Sequence, residues 1–147
     1  MSYEAGWKSS FFGERVRTQL SAFYNKYKGF QFNVVEPSTG FSGVENIADV
    51  TIKGFEAQVQ ARVRGFGYDA NVAYVGPQFA YLGYSPLSDR IDGRGLLSAL
   101  VTLDMGDWQV TAYGTNLTDK NHVSGQFNSN EFYGAPREYG VRVRVAL

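Results

Sequence analysis

The sequence predicts an all-β protein, an antiparallel up-and-down meander of about seven to eight long strands that belong to a membrane-spanning barrel. Three observations carry this expectation. Apolar residues recur at every second position in segment after segment, and the helical period is almost absent. The links between the segments alternate short, long, short, long, short, long. Two segments, Arg15–Tyr27 and Val50–Val63, exceed the ~9–11 residues with which a tilted strand crosses a bilayer. Strands of soluble domains cluster near ~5–6 residues.

The first strand lies around Tyr3–Ser9 and turns at Ser10–Glu14. In the second, Val16, Thr18, Leu20, Ala22 and Tyr24 alternate with Arg15, Arg17, Gln19, Ser21 and Asn25, with Phe23 breaking the pattern. Successive side chains of a strand point to opposite faces, so this alternation sorts one residue type to each side. A long polar loop, Gly29–Asp49, leads to the third strand, where Phe55, Ala57, Val59, Ala61 and Val63 oppose Glu56, Gln58, Gln60 and Arg62. After the brief Arg64–Gly67 link, Tyr68, Ala70, Val72 and Tyr74 alternate with Asp69 and Asn71. The Gly76–Arg94 stretch, with Pro77 and Pro86, precedes a fifth strand carrying Leu97, Ala99, Val101 and Leu103. Asp104–Asp107 turns into a sixth, where Trp108, Val110 and Ala112 oppose Gln109 and Thr111. Beyond Leu117–Pro136 the seventh sets Tyr139, Val141, Val143, Val145 and Leu147 against Gly140, Arg142, Arg144 and Ala146. An eighth strand has room in Phe30–Val35 or Pro77–Gly83.

Hairpins place alternate links at opposite ends of a sheet, so all short turns share one end and all long loops the other. Short periplasmic turns and longer extracellular loops mark bacterial outer-membrane barrels. Aromatics stand at both strand ends: Phe11, Phe12, Phe66, Tyr68 and Trp108 beside the short turns, and Tyr24, Tyr27, Phe30 and Phe32 at the other end of strand two. Interfacial girdles have this distribution. Alternation does not say which face is inside. A soluble lipocalin-like barrel, binding a small apolar ligand, turns its apolar face inward and remains the alternative.

Composition narrows the function. The 147 residues allow one domain, and 14 basic against 14 acidic residues remove the electrostatic argument for nucleic acid. Without cysteine there is no disulfide, thiolate zinc site or cysteine nucleophile. Aromatics reach 16% and glycine 17 residues, while charged residues make up 19% against a usual ~25%. No run approaches the ~18 apolar residues of a spanning helix. The N-terminal residues offer no basic region followed by an apolar stretch, so no export signal is read. With the last strand descending to the periplasm, seven strands put residue 1 outside. A complete bacterial barrel has an even count, so the expectation is a piece whose beginning is missing.

Residues of catalytic type form no constellation. His122 is the single histidine and has no cysteine partner, which favours a solvated loop residue over a metal ligand. Gly65-Phe66-Gly67-Tyr68-Asp69-Ala70 fits a dinucleotide-binding pattern on paper, but a strand rather than a helix follows. Asp89 and Asp92, with Arg90 and Arg94, fall far short of a calcium loop. No catalytic, cofactor or metal residue is expected. Arg15, Arg17, Gln19, Gln58, Gln60, Arg142 and Arg144 are candidates for a wet lumen wall, with Glu56 among the counter-charges.

Four segments then carry a resemblance. Tyr113-Gly114-Thr115-Asn116-Leu117-Thr118-Asp119-Lys120 resembles the Asn-Leu-Thr-Asp-Lys motif near the end of TonB-dependent outer-membrane receptors. Tyr133-Gly134-Ala135-Pro136-Arg137-Glu138-Tyr139-Gly140-Val141 resembles that family's terminal Gly-x-Pro-Arg-x-Tyr-Gly signature. Leu20–Tyr27 is similar to its Ala-x-Phe-Tyr-x-x-Tyr strand, and Asn46–Val50 through Gly54-Phe55-Glu56 to the beginning of another. They occur in the family's order and span nearly the whole chain.

The resemblance implies the C-terminal segment of a large transmembrane β-barrel, of the plugged kind with about 22 strands, in the bacterial outer membrane. It implies active uptake of a scarce ligand such as a ferric siderophore. Its partners would be outer-membrane lipid, the plug and upstream strands, and the TonB protein through an N-terminal box that this chain does not contain. Tyr139, Val141, Val143, Val145 and Leu147 would form the terminal assembly signal, although the family usually ends in an aromatic residue rather than Leu147. Gly29–Asp49, Gly76–Arg94 and Leu117–Pro136 would be three of the extracellular loops.

Overall fold

The computed structural model describes residues 1–35, 40, 42–47, 50–79, 90–127 and 130–146. Among these residues thirteen strands occur: β1 (Ser2–Phe11), β2 (Val16–Tyr27), β3 (Phe30–Val35), β4 (Ser42–Ile47), β5 (Val50–Val63), β6 (Phe66–Val75), β7 (Gln78–Phe79), β8 (Arg90–Ile91), β9 (Arg94–Met105), β10 (Trp108–Thr115), β11 (Val123–Phe127), β12 (Asn130–Tyr133) and β13 (Glu138–Val145). Seven of them pair in the order β1-β2-β5-β6-β9-β10-β13, each antiparallel to the next. These are the seven long strands that the alternation predicts. The chain is all-β, and β5 begins and ends where the sequence placed it.

The short turns are specified locally. Val63 pairs with Phe66 across a two-residue loop in which Arg64 and Gly65 both have positive φ, 47° and 84°. This is the sign pattern of a type I′ turn, whose twist matches the flanking strands. Met105 pairs with Trp108, and here Gly106 alone has positive φ, 74°, the pattern of a type II′ turn. The supposed dinucleotide pattern at Gly65–Ala70 is therefore a hairpin.

The long links are not plain loops. Each contains a two-stranded ribbon of its own, β3–β4, β7–β8 and β11–β12. Phe30–Val35 is a strand, but it pairs with β4 and adds nothing to the main sheet, because Gly29, at φ 62°, redirects the chain out of β2. In the Pro77–Gly83 candidate, Gln78–Phe79 forms a strand, paired with Arg90–Ile91, and residues 80–83 lie outside the described residues. Among the described residues the main sheet has seven strands.

Among the described residues the one buried hydrophobic side chain is Ile91, at 3% exposure, and it belongs to a loop ribbon rather than to the sheet. Val141 and Val143 remain 69% and 55% exposed. The sheet does not close: β1 and β13 are its two edges. The alternative of a soluble barrel with these valines in a closed interior is not what the chain forms. Both broad faces are open, so the burial that stabilises this sheet lies against something beyond these residues.

Candidate functional site

Residues that pair across strands share a face, so the register assigns every side chain. One face carries Trp7, Leu20, Ala57, Val72 and Leu97 in a single row across five strands. A parallel row runs Phe11, Val16, Ala61, Tyr68, Val101, Ala112 and Val141. On the seven strands this face holds two charged residues, Lys26 and Lys53, both at the end where the long links emerge. Its large side chains stay exposed, including Leu20 at 47% and Val59 at 46%.

The opposite face is polar. One row across it reads Lys8, Gln19, Gln58, Asn71 and Ser98, and the next reads Ser10, Arg17, Gln60, Asp69, Leu100, Tyr113 and Gly140. Six of the seven predicted wall residues lie here: Arg17, Gln19, Gln58, Gln60, Arg142 and Arg144. Arg15 lies in the turn just before β2, outside the paired register, where its carbonyl accepts the Arg62 amide at 2.8 Å and it lines an open hollow with Arg17, Gln60 and Arg62. The seven do not form one cluster. Arg17, Gln19, Gln58 and Gln60 line an open trough of about 490 Å³ with Lys8 and Glu14. Arg142 and Arg144 stand on β13, four strands from β5.

Asp69, on the neighbouring strand β6, holds two of the trough's glutamines. Gln58 Nε2 donates to Asp69 Oδ2 at 2.9 Å, and Gln60 Nε2 donates to the same oxygen at 2.7 Å. Alternation had marked Asp69 as polar without giving it a role, and the signal was its cross-strand register, which spacing along one strand does not show. Arg17 Nη2 pairs with Glu14 Oε2 at 2.9 Å. The expected counter-charge Glu56 is opposite Ser21 instead, four residues along the strands and so about 13 Å away from Arg17's row. Farther across, Gln109 donates to Asp104 at 2.7 Å, and the Arg142 guanidinium sits 5.6 Å from the Tyr113 ring centroid.

Two aromatics on this face, Phe23, the exception in the sequence pattern, and Tyr113, are accounted for by glycine. Phe23 lies over Gly54 of β5, where a Cβ would meet its ring at 2.6 Å. Tyr113 lies over Gly140 of β13, where a Cβ would meet its hydroxyl at 2.8 Å. Each ring covers backbone instead of interrupting a polar surface.

At the far end, the last two segments singled out in the sequence clasp the base of the third long link. Asn116 is buried, at 6% exposure and φ 46°. Its Nδ2 donates to the carbonyls of Lys120 and Ala135 at 3.0 and 3.1 Å, while its Oδ1 accepts the Lys120 amide at 2.9 Å. Asp119 pairs with Arg137 at 3.1 Å. Leu117 covers Gly114, and the Gly134 amide donates to the His122 carbonyl at 2.9 Å. His122 is a half-buried loop residue with Nδ1 3.1 Å from the Lys120 carbonyl. Asp92 pairs with Arg90 at 3.5 Å, and Asp89 lies outside the described residues. No group of three or more metal-ligating side chains occurs among the described residues.

On β13, Tyr139, Val141, Val143 and Val145 share the apolar face, and Leu147 lies outside the described residues. No curated protein matches the sequence. One similar solved structure is the FpvAI–pyocin S2 complex, at 15% identity and a TM-score of 0.49, over 98% of this chain and 27% of that one. Another is the ferripyoverdine receptor of the outer membrane of Pseudomonas aeruginosa bound to ferripyoverdine, at 15% identity and a TM-score of 0.49, over 98% of this chain and 26% of that one. The chain thus spans about a quarter of the length of these structures. The family model described as TonB dependent receptor-like, beta-barrel, matches residues 1–142, and the chain therefore belongs to the TonB-dependent receptor β-barrel family, whose members are outer-membrane receptors and not enzymes.

Proposed function

We propose that the chain forms the C-terminal wall segment of a larger outer-membrane barrel that takes up a scarce ligand such as a ferric siderophore. The observation that carries this reading is the sorting of the two faces. One is mostly apolar and carries no charge over the seven strands except Lys26 and Lys53, and the other is lined by Arg, Gln, Asn and Asp. A wall between hydrocarbon and water has this asymmetry, with the apolar side outward. The open edges at β1 and β13 are then the seams to the strands that complete the barrel. Arg17, Gln19, Gln58, Gln60, Arg142 and Arg144 face the lumen and the plug that fills it. Tyr139, Val141, Val143 and Val145 present the assembly signal to the membrane side. The described parts of the three long links stand on the extracellular side and contribute to ligand capture, and TonB supplies the energy through a region outside this segment.

Uptake of a radiolabelled ferric siderophore by iron-starved cells, with and without the gene, tests the proposal. Loss of uptake on deletion, and the same loss in cells lacking TonB, is the expected result. Undiminished uptake of a panel of ferric siderophores in the deletion strain would remove the ligand assignment.

A further inference from the structure

We propose that Arg15 and Arg62, with Arg17 beside them, form a carboxylate-binding site at the short-turn end of the polar face, for an acidic segment of polypeptide. The inference rests on the reading of this face as the lumen side of a wall, and it names the chemistry of what lies against it. The Arg62 amide donates to the Arg15 carbonyl at 2.8 Å, one step beyond the pair of Val16 with Ala61, so the two arginines stand across from each other. Arg17 pairs with Gln60, which makes Arg62 its diagonal neighbour, about 7 Å away. All three arginines line one open hollow of about 300 Å³ with Glu14 and Gln60. Like charges set directly opposite are destabilising, so the gathering needs anions.

The chain supplies too few. Glu14 takes one N–H of Arg17, at 2.9 Å. Asp69 and Asp104, the carboxylates nearest Arg62 on β6 and β9, are engaged by amides instead. Gln58 and Gln60 donate to Asp69, and Gln109 donates to Asp104. Among the described residues neither Arg15 nor Arg62 has an ion pair, and both are exposed. A guanidinium left open in this way offers a planar fork that matches a carboxylate with two parallel hydrogen bonds.

The surroundings select polypeptide over a small anion. The row that starts at Arg62 runs through Gly67, Thr102 and Thr111 to Arg142. A further guanidinium therefore stands four strands away, about 19 Å along the row, with nothing larger than threonine between. No small anion reaches both ends of this shallow lane, whereas an extended segment of about six residues does.

The test uses the full receptor in mild detergent, with Arg15→Lys and Arg62→Lys made singly. Carbodiimide joins a lysine amine to a touching carboxylate as an amide, taking up the water lost as a urea, and peptide mass spectrometry locates the joint. In each variant the expected joint is to an Asp or Glu outside the 147 residues, and it is absent from the wild type. Joints to Glu14, Asp69 or Asp104 alone, or none, would overturn the site. The charge reversal Arg15→Glu/Arg62→Glu should speed amide hydrogen exchange in the joined segment about tenfold, while Arg15→Lys/Arg62→Lys leaves it unchanged. Equal exchange in the wild type and the reversal variant would also overturn it. Heat-modifiable mobility of the wild type separates the two levels. Its absence removes the wall reading, whereas a folded receptor without the outside joint removes the carboxylate site alone.

Discussion

Val59 and Gln60 are neighbours on β5, flanked by the same two strands, yet the faces they occupy give arginine opposite consequences. Val59 lies opposite Thr18 and Ala70 on the apolar face, well inside the 14-residue strand, with 46% of its surface open. With this face against lipid, as proposed, a guanidinium there would meet hydrocarbon, and the expected loss for Val59→Arg is about 2–4 kcal/mol, or about 30- to 700-fold in the folding equilibrium. Gln60 already donates to Asp69 at 2.7 Å. Gln60→Arg keeps a donor there and adds an ion pair, so its change should stay within about 0.5 kcal/mol. The assay is urea unfolding of the full receptor in phospholipid vesicles, followed by tryptophan emission and heat-modifiable mobility. Equal costs for the two variants, or a larger cost at Gln60, would refute the assignment of the faces.

Val143→Arg, on the same face of β13, should also cost about 2–4 kcal/mol if Val143 lies near mid-depth, with membrane insertion as the readout. Asn116→Ala strands the carbonyls of Lys120 and Ala135, at about 1–3 kcal/mol. Hydrogen exchange at the Lys120 and Gly134 amides should accelerate, and unchanged protection would deny Asn116 its clasping role. Tyr133 donates to Glu131 at 2.7 Å, and that bond, then the carboxylate's charge, raise the phenol above its usual value near 10. The bond's contribution is complete below that value and lost as pH climbs through the higher folded one. Glu131→Gln should move a phenolate transition downward in an ultraviolet titration, and an identical curve would contradict this account. Alanine at Gly54 or Gly140 should destabilise the wall, for reasons that differ between the two sites.

The sheet was legible because each strand's own sequence carries its two faces. Val50–Val63 reads as one strand since nothing in it breaks the alternation, and Arg64-Gly65 supplies the turn chemistry that ends it. The ribbons were not legible. β3 has the residues of a strand, but whether it extends the main sheet or folds back on β4 depends on a partner beyond it in sequence. The polar face was legible as a list and not as a site. That Gln58 and Gln60 converge on Asp69, while Glu56 stands away from Arg17, depends on the stagger between strands, which no single strand records. Asn116 was noticed within a resemblance, but its work is a pair of carbonyls on separate parts of the chain.

The two glycines beneath rings show how the same residue type answers different constraints. At Gly140 the nearest atoms to an added Cβ all belong to Tyr113: its hydroxyl at 2.8 Å, Cζ at 2.9 Å and Cε1 at 3.1 Å. The obstacle is a side chain, so Gly140→Ala should cost about 1–3 kcal/mol in the wild type and far less once Tyr113→Ser has removed the ring. Tyr113→Ser alone forfeits the Arg142 contact, worth about 0.5–1 kcal/mol at an exposed site. At Gly54 the added Cβ meets the Phe23 ring at 2.6 Å but collides first with the Tyr74 carbonyl on the neighbouring strand. Removing the ring leaves that collision, and Phe23→Ser should not rescue Gly54→Ala. Double-mutant cycles measured by urea unfolding therefore separate the pairs, with coupling of about 1–2 kcal/mol at Tyr113/Gly140 and much less at Phe23/Gly54. Equal coupling in both cycles would mean that the ring alone dictates glycine at Gly54, and that the close approach of β5 and β6 does not.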